Sequence, residues 1–266
     1  MYDNNLKDKV VLITGASGLL GSQYAECLAQ NNANLILCDI DEKKVITKAA
    51  YLQEKYQIKA IGLYCDVRNK SSIEDSVESG VEYFGKLTSV INNAAATGEF
   101  LLKRGEVFTN LADFDLDVWD ETIKTNLSGP FLVAQAVEKH LKKNKGGSVI
   151  NISSTYGVVG PDHRIYEGLD FNSAVAYAAS KAGIHGLTRW LSTYWGKYDI
   201  RVNSMVPGGV YNNHDPIFVE RYSERTPLGR MADKEDMPGM ILYLVSDMSK
   251  YCTGQQYFVD GGWTAI

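Results

Sequence analysis

Val10-Val11-Leu12-Ile13-Thr14-Gly15-Ala16-Ser17-Gly18-Leu19-Leu20-Gly21 decides the fold. The opening apolar run is what a strand buried on both faces requires. It passes straight into glycines at GxxGxxG spacing, and the helix-like stretch Leu19–Asn31 follows. The triplet alone would fit a turn glycine and two packing glycines equally well. A strand before it and a helix after it favour a second use. There Gly15, Gly18 and Gly21 permit a tight turn and close backbone approach, while free N–H groups at the helix start hold a pyrophosphate.

Working outward, apolar and amphipathic stretches alternate. Asn34–Cys38, Ala60–Cys65, Val90–Ile91, Ser148–Ile152, Arg201–Met205 and Gln256–Val259 read as strands. Glu42–Tyr56, Ser71–Tyr83, Ala112–Leu141 and Ser173–Lys197 read as helices. The alternation predicts an α/β fold: a Rossmann-like, doubly wound parallel sheet with helices on both faces. No repeat or linker divides the chain, so a single domain over residues 1–266 is expected. Asp39 ends the second strand, 18 residues past Gly21. A carboxylate there accepts hydrogen bonds from the adenosine ribose hydroxyls and repels a 2′-phosphate. Asp41 adds charge of the same sign, and no Arg or Lys lies between Gly15 and Asp39. NAD is therefore expected over NADP.

Composition narrows the class. In 266 residues, 27 basic against 32 acidic side chains give −5, so no basic face for nucleic acid is expected. Cys27, Cys38, Cys65 and Cys252 are scattered and lack CxxC spacing, which reads as reduced thiols in the cytoplasm. His140, His163, His185 and His214 show no metal-ligand spacing, so no metal is expected. The polar start and short apolar runs give neither a signal peptide nor a membrane span.

Further motifs stand at strand ends in order: Asp66-Val67, Asn92-Asn93-Ala94-Ala95, Lys124-Thr125-Asn126, Ile152-Ser153-Ser154, Tyr177-Ala-Ala-Ser-Lys181, Arg201-Val-Asn203, Pro207-Gly208 and Asp260-Gly-Gly. With them the chain, from Lys9 to Gly262, resembles the short-chain dehydrogenase/reductase family. Two YxxxK sequences occur. Tyr51/Lys55 reads as a solvated helical pair without partners, and Tyr177/Lys181 as the catalytic pair. Residues four apart share a helix face, and a nearby ammonium lowers a phenol pKa from about 10. Tyr177 is then suited to move a proton as hydride moves. The resemblance implies that Lys181 also holds the nicotinamide ribose. It implies further that Ser154 bonds the reacting oxygen and that Asn126 joins a proton relay through water. Ser17, Leu20, Asp66, Val67, Asn93, Ala94, Pro207, Gly208 and Val210 match its dinucleotide-binding positions. Asp66 is expected at the adenine and Val210 at the carboxamide end. Without the resemblance, Ser154 would read as a strand-end cap and Asn126 as a buried amide at a helix kink.

Departures from the family pattern bear on the substrate. The short branch carries TGxxxGxG, but Leu19 stands where its second glycine would be. The spacing found here is that of the sugar-nucleotide-acting branch. From Ser154 to Tyr177 the interval is 23 residues, longer than in the short branch, and Pro161–Asp170 supplies the surplus. Loops near 97–115, 158–173 and 207–235 are expected to border the substrate. The first two bring Lys103, Arg104, Glu106, Asp162, His163, Arg164 and Glu167. Such residues suit a small polar substrate, above all a sugar or sugar phosphate; a solvated loop, or one reaching a neighbouring subunit, explains them as well. The expected activity is interconversion of a secondary alcohol and a ketone. The alternative is a sugar-nucleotide epimerase or dehydratase that retains its NAD; a redox-sensing binding protein is the third reading. The resemblance implies a homodimer or homotetramer paired through the two long helices. Trp190, Leu191 and Trp195 are compatible with that interface or with the core.

Overall fold

The computed structural model describes residues 5–98 and 110–266. Lys103, Arg104 and Glu106 lie outside them. Seven strands form one sheet: β1 (Val10–Thr14), β2 (Asn34–Asp39), β3 (Ala60–Tyr64), β4 (Ser89–Asn92), β5 (Gly147–Ile152), β6 (Ile200–Pro207) and β7 (Gln256–Val259). Their order is β3-β2-β1-β4-β5-β6-β7, and every pairing is parallel. The order reverses at β1, so a crevice opens between the ends of β1 and β4, where such sheets bind ligands.

The apolar run splits by parity. Val11 and Ile13 join the core on one face, with Tyr24 and Leu28 of α1 (Leu19–Gln30), Val45 and Leu52 of α2 (Glu42–Tyr56), and Ile241 and Leu244. Val10 and Leu12 join the core on the other, with Val77 of α3 (Lys70–Phe84), Val137, Leu191 and Trp195. That alternation is the strand period of two, and two covered faces explain why polar residues never interrupt it.

Two stretches differ from the sequence expectation, the helical segment before β5 and the segment beyond β6. The helix expected over Ala112–Leu141 is divided into α4 (Leu116–Ile123), a wide π turn over Lys124–Ser128, and α5 (Gly129–Lys143). Pro130 stands at the start of α5 and has no N–H to continue the ladder. The long helix α6 (Val175–Trp195) forms as expected. Of the three residues open to either reading on it, Leu191 and Trp195 are core, whereas Trp190 is 60% exposed and stacks on Tyr194 at 4.8 Å. Beyond β6 come α7 (Pro216–Arg225) and α8 (Pro238–Val245), each with Pro in its first turn. The expectation gave no helix at α8. Its Met-Ile-Leu-Tyr-Leu-Val run has no polar face, so no period is visible in it. Among the described residues no helix is long and apolar enough to cross a membrane.

Candidate active site

The glycine loop is built by close approach. Gly15 turns the chain at φ +63°, and a Cβ there would come 2.8 Å from Ala94 Cα. A Cβ on Gly21 would fall 2.2 Å from the Gly15 carbonyl oxygen, so α1 begins directly on the turn. Gly18 is the N-cap of α1 and no side chain caps it. The first-turn N–H groups, those of Leu19 and Leu20 included, therefore lack a capping acceptor. Asp39 Oδ2 accepts from the Ser17 N–H at 2.9 Å, and Oδ1 from the Asp41 N–H at 3.0 Å. Each carboxylate oxygen keeps capacity for another donor. A pyrophosphate over uncapped N–H groups and a ribose beside Asp39 fit this cradle.

The remaining expected cofactor positions divide into two groups. Thr14 Oγ1 accepts from the N–H groups of Asn93 and Ala94, both at 3.1 Å. Asn93 Nδ2 donates to the Thr14 and Gly15 carbonyls, both at 3.0 Å. Its amide thus ties β4 to the glycine loop, which is structural work the motif match did not reveal. Pro207 and Gly208 lie against the C-terminal turn: Gly208 N–H donates to the Val259 carbonyl at 2.9 Å. Val210 forms an isolated bridge with Ala232. Asp66, expected at the adenine, meets Arg68. Its carboxylate is gripped by Arg68, Nε to Oδ1 at 2.9 Å and Nη2 to Oδ2 at 2.8 Å. Arg68 also reaches Glu121 at 2.9 Å, and its hydrogen bonds hold the Asp66 carboxyl below the usual range. Val67 is buried beside Gly129, where a Cβ would come 3.2 Å from it.

The expected catalytic residues gather where β5 ends against α6. Lys181 is 3% exposed. Its Nζ donates to the Ile152 carbonyl at 2.8 Å and lies 5.6 Å from the Tyr177 ring centroid. Burial pulls its pKa down to about 8. Ser154 Oγ accepts from the Tyr156 N–H at 3.2 Å. Ser154 is therefore a cap, as its position alone allowed, and the cap occupies an acceptor site while leaving the hydroxyl proton to be donated. Asn126, in the π turn, exchanges bonds with Ala96: the Ala96 N–H donates to Oδ1 at 2.7 Å, and Nδ2 donates back at 3.0 Å. Nδ2 also lies 3.2 Å from Ser180 Oγ on α6. Its side chain is thus a buried brace.

Beneath this group lies His185, which the sequence reading left without a role. It is 4% exposed. Nε2 lies 2.9 Å from Ser153 Oγ, and Nδ1 3.1 Å from Ser204 Oγ. Ser153 Oγ donates to the Lys181 carbonyl at 2.9 Å. Burial, with Arg189 and Lys181 nearby, takes His185 down to about 4, so the imidazole is neutral and joins β5 and β6 beneath α6.

The inserted segment is not a solvated loop. Tyr166 packs on Phe218 of α7 at 5.3 Å and on Phe171 at 5.8 Å, and His214 stacks on Phe218 at 5.3 Å. Tyr222 stacks on Trp263 at 4.1 Å. Part of the charge expected at the substrate is paired within the wall. Arg164 pairs with Asp162 at 2.6 Å, Arg225 with the same carboxylate at 3.3 Å, and Arg221 Nη1 donates to the Glu167 carbonyl at 2.5 Å. The aromatic content of Ile165-Tyr166 and Leu169-Asp170-Phe171 was the signal, overshadowed by the charges between.

Comparison with known proteins identifies the family. A family model described as Enoyl-(Acyl carrier protein) reductase matches residues 15–264. Trans-4-hydroxycyclohexanecarboxylate dehydrogenase of Sinomonas cyclohexanicum is 35% identical over 98% of this chain and 95% of its own. L-rhamnose 1-dehydrogenase (NAD(P)(+)) of Sphingomonas sp. is 32% identical over 97% and 96%. The crystal structure of a gluconate 5-dehydrogenase from Burkholderia cenocepacia, in complex with NADP and tartrate, superposes with a TM-score of 0.88 at 27% identity, covering 99% and 98%. This chain therefore belongs to the short-chain dehydrogenase/reductase family, oxidoreductases that act on CH–OH groups with a nicotinamide dinucleotide.

Proposed function

We propose that the protein is an NAD-dependent dehydrogenase that interconverts a secondary alcohol and a ketone on a small hydroxylated ring, a sugar or a related cyclic polyol. The observation that carries this reading is the buried ammonium of Lys181 beside the Tyr177 ring, with Ser154 capped at the adjoining strand end. Sugar and alicyclic-alcohol relatives support the substrate class. Paired cations in the described wall favour an uncharged substrate over a sugar phosphate. Two relatives that match over nearly their whole length are named dehydrogenases, which favours this reading over the epimerase alternative.

A nicotinamide dinucleotide, when bound, would supply the hydride acceptor for the carbinol carbon or the hydride donor for the carbonyl. It would be held by the Gly15–Gly21 cradle, by Asp39 and by Lys181, with Val67, Ala94, Pro207, Gly208 and Val210 along its length. Tyr177 takes the alcohol proton as general base, or gives it back to the ketone. The Lys181 ammonium stabilises the phenolate formed in that exchange. Ser154 donates its hydroxyl proton to the reacting oxygen. Asn126 serves the relay through its backbone, because Pro130, four residues on, cannot supply the N–H that would normally engage the Asn126 carbonyl. Asp39 accounts for the NAD preference. Lys44 lies near it but is paired with Asp41 at 2.6 Å. We place the enzyme in the cytoplasm as a dimer or tetramer paired through α5 and α6, on which Trp190 and Tyr194 form an exposed stack.

Titration of the purified protein with NAD and NADP tests the reading. Exchangeable NAD with weak NADP is expected, and Asp39→Ala should narrow the gap about tenfold by removing the charge that repels a 2′-phosphate. Preference for NADP in the unaltered protein would refute the Asp39 argument. Dinucleotide that cannot be exchanged would return weight to the epimerase alternative.

A further inference from the structure

The inserted segment brings Tyr166 onto Tyr156, in the turn that follows Ser154. Tyr156 Oη and Tyr166 Oη are 2.8 Å apart, and both phenols lie within electrostatic reach of Tyr177. Tyr156 is fixed from the Ser154 side. Its N–H is bonded to Ser154 Oγ at 3.2 Å. The turn carrying it is pressed onto α6, where a Cβ at Gly157 would come 2.6 Å from the Lys181 carbonyl oxygen. Tyr166 is fixed from the opposite side by Phe171 and Phe218. Neither ring has room to swing away.

The hydroxyl arithmetic leaves one proton over. Tyr156 and Tyr166 share one hydrogen bond. Two hydroxyls with one hydrogen bond between them keep one O–H for a further acceptor, and their oxygens retain acceptor capacity. Burial raises both phenols, Tyr166 to about 12, so the row stays neutral at any working pH. The surrounding ring faces suit the C–H face of a carbocycle or pyranose.

We propose that Tyr156 and Tyr166 hold a second substrate hydroxyl, on the carbon next to the reacting one, and so select cyclic vicinal diols over simple cyclic alcohols. The choice of the neighbouring carbon rests on the turn that carries both groups: Ser154, which meets the reacting oxygen, accepts from the backbone N–H of Tyr156. The proposal rests on the dehydrogenase reading above. It makes the two phenols specificity residues, with no part in the proton transfer.

The test is steady-state oxidation of trans-cyclohexane-1,2-diol and of cyclohexanol with NAD by the full-length enzyme, with Tyr166→Phe and Tyr156→Phe. Each variant keeps its ring and loses one oxygen. The unaltered enzyme should favour the diol in kcat/KM, and each variant should cut the diol-to-cyclohexanol ratio about tenfold, mainly through KM, as loss of one neutral hydrogen bond predicts. Tyr251→Phe, at a ring that is 99% exposed, should leave the ratio alone. Equal scaling of both alcohols in both variants would overturn the proposal, because a packing role cannot distinguish them. So would an unaltered enzyme with no preference for the diol. If the unaltered enzyme oxidises neither alcohol, the dehydrogenase reading for small rings fails first, and this proposal falls with it.

Discussion

The chain contains the same five-residue pattern twice, and the two copies have opposite fates. Tyr177/Lys181 lies on α6 with its lysine buried against a strand end. Tyr51/Lys55 lies on α2 with its lysine at the surface. In the second pair the direct contact is the shorter one: Lys55 Nζ is 2.7 Å from Tyr51 Oη, whereas Lys181 Nζ is placed by the Ile152 carbonyl. Burial drags Lys181 down to about 8. Glu26, Tyr51 and Tyr56 push Lys55 upward. A motif supplies residue types at helical spacing. What surrounds it decides whether the ammonium is available to a reacting phenol or occupied by a carboxylate.

The largest expected effect separates the two tyrosines. Tyr177→Phe should lower kcat/KM about 1000-fold, within the range for a general acid–base group, with the thermal midpoint nearly unchanged. Retained activity would break the comparison outright. The pH profile sharpens it: as Lys181 loses its proton above about pH 8, turnover should fall on the alkaline side, and Lys181→Met should abolish that limb along with most of the activity.

The next effect concerns what lies beneath the catalytic pair. His185 titrates at about 4 in the folded chain against about 6.5 unfolded. Between those values the unfolded chain binds more protons, so stability rises with pH and is lost on acidification through that window. Over it the loss is on the order of 3 kcal/mol. Urea midpoints of the unaltered protein and of His185→Gln at pH 7 and pH 4 measure this. The gap between the two proteins should narrow, or reverse, at the lower pH. A constant gap would mean that His185 is not the neutral link between Ser153 and Ser204.

This contrast also shows what was legible in sequence. The fold was, because two covered sheet faces leave strands such as Val10–Ile13 uniformly apolar, and because the Gly15–Gly21 contacts admit no side chain. The Tyr177/Lys181 pair was legible through its place in an ordered set of motifs. Glu26 was not legible as the partner of Lys55, since it comes from another helix and no local pattern links them. For the same reason His185 went unassigned: its partners are Ser153, just past β5, and Ser204 in β6. The substrate wall was read by its charges, yet Asp162, Arg164 and Arg225 pair among themselves and leave Tyr166 and Phe171 to face the aromatic cluster. Helix α8 was missed because a run without polar residues has no phase.

A smaller effect comes from the surface pair's own anchor. Glu26 accepts from Lys55 at 2.8 Å, Lys48 at 3.1 Å, Tyr56 at 3.0 Å and Tyr51 at 3.2 Å. Partial burial works to raise its carboxyl, but the bonds from Lys55, Lys48 and Tyr56 outweigh it and hold the group at about 2. A depressed carboxyl contributes stability above its unfolded pKa and loses it as pH falls toward 2. At pH 4.5, where His185 has already begun to cost stability, this cluster should remain nearly whole. Glu26→Gln should cost about 1 kcal/mol at neutral pH, the scale of a partly exposed ion-pair network, and lower the thermal midpoint by roughly 2–4 °C.

The smallest effect is the one that most sharpens the comparison. Tyr51→Phe removes the hydroxyl that touches Lys55 and Glu26 and leaves the ring over which Lys48 and Lys55 sit, at 5.1 and 5.2 Å. Lys55 keeps Glu26, so its charge stays neutralised on the same side of the molecule. No strand-end serine or buried carbonyl accompanies this pair, and its phenol has no route to α6. Turnover with any substrate should therefore stay within about twofold of the unaltered enzyme, the scatter expected when no transition-state contact is lost. A larger fall would mean that α2, whose Tyr51 borders the groove beside Ser17 of the glycine loop, passes its position on to the cofactor cradle, and the two copies of the pattern would then be coupled rather than independent.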